Sequence, residues 1–107
     1  MTIKDSGYRN VFDTGKGRMD LLPWEALIEV SKHCEEYARK NGERSWEKGI
    51  PIHILIDSAF QHLAKYTMGM QDELHLRAAA WSVLLALYME EKYPEMQDIP
   101  GRGEVTK

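Results

Sequence analysis

The stretch from Ala78 to Met89, AAAWSVLLALYM, constrains the fold more than any other, because it is apolar on nearly every side. A helix apolar all round is a buried helix. Its twelve residues fall short of the ~20 needed to span a bilayer. They predict the central helix of a soluble domain, opened by the polar residues Asp72, Glu73 and His75. Gly69 separates it from a preceding helix over Ile52 to Met68. Asp72 suits the N-cap of the third helix, and Glu73 suits the positive end of its dipole. The third helix should end near Lys92, since Pro94 cannot easily continue it.

Upstream, Asp20-Leu-Leu-Pro23 reads as a helix start, with proline in the first turn. Trp24, Leu27, Ile28, Ser31, Cys34 and Ala38 recur at three and four, the mark of an amphipathic helix. Asn41-Gly42 should end it, with Arg39 and Lys40 at the favourable end of the dipole. On the second helix the core stripe is expected at Ile52, Ile56, Ala59, Leu63 and Tyr66. Residues 1–17 read as an extended arm, 18–93 as one helical domain and 94–107 as a tail. The expected class is all-α, with no convincing strand. Three helices cannot cover an all-round apolar helix, so a small bundle completed by homo-oligomerisation, at least a homodimer, is expected.

The chain has 107 residues and a formal net charge of -3, enough for one domain and without the basic footprint of a protein that binds nucleic-acid polymers. The single cysteine, Cys34, fits a reducing cytoplasm, and the first ten residues lack the apolar run of a secretory signal.

Several residues could carry chemistry. Glu35 follows Ile28 by seven and is expected on the buried side of the first helix, where a carboxylate needs an ion pair or a metal. Glu36 lines up with Glu25, Glu29 and Lys32 and is expected on the outer face. Asp57 and His62 are five apart, about 140° around a helix, and are expected to flank the core stripe on opposite sides. A histidine beside a core stripe more often serves structure than metal, and Asp57 suits a surface position. His75 shares a face with Ala78, Ala79, Ser82 and Ala86, which allows close helix approach or a ligand. In the loop Asn41 to Pro51, Arg44, Trp46 and Lys48 either stack a base and hold phosphates or, for Trp46, plug the end of the bundle. Lys16 and Arg18 flank Gly17 without the pattern of a Walker loop.

The segments GKGRMDLLPWEAL, HCE, NGERSWEKGIP, LIDSAFQHLAKY and DELHLRAAAW follow one another at close spacing. Together they resemble the phage and bacterial dATP/dGTP diphosphohydrolase domain, similar to the all-α MazG-like nucleotide pyrophosphohydrolases. The resemblance runs from Gly15 to Tyr88. It implies hydrolysis of a purine (deoxy)nucleoside triphosphate to monophosphate and pyrophosphate, with Mg²⁺ or Mn²⁺ held by carboxylates of facing helices. By that resemblance Glu35, Asp57, Asp72 and His75 would hold metal, while Glu73 and His62 would be catalytic. Lys16, Arg18, Arg44, Trp46 and Lys48 would bind substrate. The implied setting is the cytoplasm of a bacterium or phage-infected host.

The chain departs from the family pattern at Tyr37, Ser45, Leu74 and Ser82. It also lacks a recognisable E-x-x-E and E-x-x-D pair. These departures support a second expectation, a non-catalytic helical binding or accessory module derived from the same family.

Overall fold

In the computed structural model, which describes residues 15–102, the apolar stretch forms the middle of α3, His75–Lys92. It is preceded by α1, Trp24–Asn41, and α2, Ile52–Thr67. Short 3-10 turns lie at Met19–Leu21, Ser45–Lys48 and Pro94–Met96. No strand occurs among the described residues, and none of their helices is long and apolar enough to cross a membrane. The all-α expectation therefore holds.

The stop signals act where the sequence places them. α1 ends at Gly42, whose φ of 99° suits glycine and whose N–H donates to the Ala38 carbonyl at 2.8 Å. α3 ends at Lys92, and Pro94 opens the next turn. Its start differs from expectation. Asp72 is not the N-cap: Leu74 holds that position, and the Asp72 carboxylate accepts a hydrogen bond from His75 instead.

α2 and α3 form an antiparallel hairpin that holds the core. Ile52, Leu55, Trp81, Leu85, Ala86 and Met89 make its buried cluster. The small-residue face of α3 lets α2 come close, and Ser82 Oγ donates to Ser58 Oγ at 3.1 Å across that contact. The stripe on α2 runs through Ile52, Leu55 and Ala59, not through Leu63 and Tyr66, which are 41% and 53% exposed. Continued by one turn, that stripe reaches His62, so His62 lies along the packed face rather than beside it.

α1 is rotated relative to its expected phase. Val30, Cys34 and Tyr37 pack against the core, whereas Trp24 and Ile28 are 49% and 54% exposed. The seven-residue step from Ile28 to Glu35 does place them on one face, but that face is outward. Glu35 is consequently solvent-exposed and pairs with Arg39 at 3.5 Å. Glu36, expected to be outward, instead bonds Arg77 of α3.

Residues 94–102 do not form a free tail. Met96 and Ile99 pack on the core, and the Asp98 carboxylate accepts from the backbone N–H of His53 at 2.9 Å. That bond caps the start of α2 from 45 residues away. The close return also restricts Gly49, where an added Cβ would meet Met96 Cε at 2.9 Å. Of the expected N-terminal arm, residues 1–14 lie outside the described residues; Gly15 to Gly17 are exposed.

Candidate metal centre

The break between α2 and α3 turns the chain back on itself, so the last turns of α2 face the first turn of α3. This brings His62 and His75 together, with their Nδ1 atoms 2.9 Å apart and their rings tilted by 39°. Glu73 joins them. One ligand atom from each of His62, Glu73 and His75 lies within 4.8 Å of the others.

His75 is 1% exposed and is oriented from behind. Its Nε2–H donates to Asp72 Oδ1 at 2.8 Å, which leaves the Nδ1 lone pair of the neutral ring facing His62. A carboxylate on the far nitrogen is the usual means of fixing a ligating histidine. The same bond holds the Asp72 carboxyl below the ordinary carboxylate range. The two Nδ1 atoms can share a proton, with His62 as donor, or turn both lone pairs to one cation. Glu73 is exposed and supplies the charge that two neutral imidazoles lack. The group therefore fits a divalent cation.

α1 closes one side. Arg77, whose side chain is 11% exposed, donates through Nη1 to Glu29 at 3.2 Å and through Nη2 to Glu36 at 2.9 Å. The two carboxylates are two turns apart on α1, so the guanidinium spans them. Bonds from Lys32 and Arg77 hold the Glu29 carboxyl below its ordinary value. His33, Glu36 and Lys40 of α1 line a cleft with Asp72, Glu73 and Arg77. Burial pushes His33 below the ordinary histidine value.

Thus His62, Glu73 and His75 converge, with Asp72 as the residue behind His75. Glu35 and Asp57 do not join them. Glu35 is on the outer face of α1, and Asp57 is exposed and accepts from Gln61 at 2.7 Å. The residues expected to bind substrate are spread out. Trp46 packs edge-on against Tyr88 at 5.0 Å, near the other end of α3, about 20 Å along the axis from His75. It plugs the bundle end. Arg44 pairs with Glu47 and lies 5.4 Å from the Trp46 ring, and Lys48, itself exposed, ends the turn that follows. Lys16 and Arg18 precede α1, where Arg18 binds Asp20 bidentately.

Sequence reasoning missed His33, Lys40 and Arg77. Arg77 carried a readable signal: it is the one charge inside the otherwise apolar run that follows His75.

A family model described as dATP/dGTP diphosphohydrolase, N-terminal, matches residues 6–99. The chain belongs to this family. The match takes in all three helices and the return segment through Ile99, so the paired histidines and Asp98 fall within the matched segment. No curated protein and no solved structure matches the chain.

Proposed function

We propose that this diphosphohydrolase-family domain hydrolyses a purine deoxynucleoside triphosphate between its α and β phosphates, giving the monophosphate and pyrophosphate. The observation that carries the reading is the convergence of His62, Glu73 and His75 beside a cleft lined by Lys40 and Arg77. Two imidazoles and one carboxylate suit Mn²⁺ better than Mg²⁺, which prefers an all-oxygen shell.

A cation held there would supply Lewis-acid polarisation of a phosphate and neutralise its charge. The chain's own residues do the rest. Asp72 fixes the His75 ring. Glu73, the exposed member, can orient a water and accept its proton. Lys40, free to move at the α1 end of the cleft, can neutralise phosphate charge, while Arg77 holds α1 in place.

The functional unit in this reading is a homodimer. Leu76, Ala80, Val83 and Leu87 repeat at four, three and four on the outer side of α3, the spacing of a coiled-coil seam. Leu76, Val83 and Leu87 are 51%, 49% and 62% exposed. A second copy of α3 would cover them.

The test is release of pyrophosphate from dATP and dGTP with Mn²⁺ and with Mg²⁺, with products separated by chromatography. The expected result is monophosphate plus pyrophosphate, faster with Mn²⁺. Diphosphate plus inorganic phosphate would refute the bond assignment. No turnover with any triphosphate would favour the binding-module reading. Leu74 is then the first suspect, because its exposed side chain adjoins Glu73, whereas Ser82 is bonded to Ser58 inside the hairpin.

A further inference from the structure

Glu73, Leu74 and Arg77 line two clefts, not one. The first is the polar cleft with His33 and Lys40, about 310 Å³ in volume. The second, about 690 Å³, opens toward the other end of α1. Its walls are mainly apolar, with Val30, Tyr66, Met70, Leu74 and Leu76 among them, and its polar groups are Glu29, Gln71, Glu73, His75 and Arg77. That volume and a mainly apolar lining with few polar groups are typical of small-molecule sites. His75 lines this cleft and Glu73 lines both, so two of the three grouped side chains reach it.

A ligand spanning both would be largely apolar at one end and polar at the other, where Lys40, Arg77 and a cation held beside Glu73 could meet negative charge. We infer that the apolar cleft receives the purine nucleoside half of the substrate and the polar cleft its phosphates. This inference rests on the reaction proposed above and replaces Trp46 as the group that meets the base. Tyr66, 53% exposed, and Met70, 40% exposed, offer a ring and a thioether for stacking. Gln71 offers both a donor and an acceptor to a base edge. Arg77, with both Nη atoms bonded to carboxylates of α1, lines both clefts and fixes the wall between them. Leu76 and Ala80 line the edge of the cleft and also belong to the proposed dimer seam, so a second copy there would close the outer wall; a second copy that filled the cleft instead is the competing occupant.

The test uses the Mn²⁺-loaded full chain and two probes, dGMP and pyrophosphate, measured by titration calorimetry. Tyr66→Ala should weaken dGMP about tenfold, the size of one lost aromatic stack, and leave pyrophosphate binding within about twofold. Tyr66→Phe should restore dGMP binding. An unchanged dGMP affinity in Tyr66→Ala, or equal weakening of both probes, overturns the inference. So does weaker dimerisation of Tyr66→Ala with dGMP binding intact, which would assign the cleft to the second copy. Failure of the reaction itself reads differently: dGMP binding would still depend on Tyr66 while dGTP released no pyrophosphate.

Discussion

Two neighbouring glutamates show how little separates a surface charge from a site residue. Glu35 and Glu36 differ by 100° on the helix, and that angle sends one to solvent and the other to Arg77. Sequence spacing related Glu35 correctly to Ile28, but it took the wrong face of α1 as the inner one. The apolar positions of α1 span a wide arc, from Ile28 and Trp24 through Leu27 and Cys34 to Val30 and Tyr37, so their spacing leaves the centre of the packed stripe open. His75 was easier to read, because it opens an all-apolar helix, whereas His62 was expected beside the stripe that begins at Ile52 and instead continues it. What could not be read was their meeting, which depends on the length of the turn between them. At this scale the expectation is sharp. Added Mn²⁺ should raise the melting temperature of the parent by mass action. Asp72→Asn should weaken Mn²⁺ about 10- to 100-fold, as loss of a carboxylate behind a ligating histidine does. Glu73→Gln should lose most of the Mn²⁺ response, and Glu35→Gln should match the parent in the same thermal-shift titration.

Among the elements, helix ends were the most legible part of the chain. Gly42 and Pro94 act through backbone geometry alone, which needs no knowledge of the neighbours. Asp98 was illegible for the opposite reason: it caps a helix that starts 45 residues earlier. Its carboxyl is held below the ordinary range, first by the His53 side chain and then by the His53 backbone N–H. A carboxyl with a depressed folded pKa contributes stability above its unfolded value and loses that contribution as pH falls through the folded one. The contribution of Asp98 should therefore be full at pH 7 and fade below about pH 4. Asp98→Ala should melt roughly 5 °C below the parent at pH 7, and the gap should close toward pH 3. Differential scanning calorimetry at several pH values checks this.

Taken as a whole, the molecule leaves much apolar surface in water. Besides the α3 seam, Phe60, Met68 and Leu74 are 67%, 69% and 62% exposed. No α1 residue is buried. The all-round apolar character of α3 signalled this incompleteness, since two neighbouring helices cover only part of its circumference. Large exposed apolar areas mark interaction surfaces. In the proposed homodimer, Val83→Glu with Leu87→Glu should halve the mass measured by light scattering, because carboxylates paired across a two-fold axis would repel. A parent already monomeric at tens of micromolar would refute the seam.

The paired histidines are only thirteen positions apart along the chain, and Asp72 and Glu73 lie inside that interval. A loop so short closes at small entropic cost, whereas joining α1 to α3 through Glu29 and Arg77 closes one of 48 residues. Order of assembly follows from that difference. The hairpin can gather its cation group from local contacts, which form quickly, before the N-terminal helix arrives to complete the clefts. In the proposed reaction, the residues that would hold the ion come together at an earlier stage than the walls that would receive the substrate.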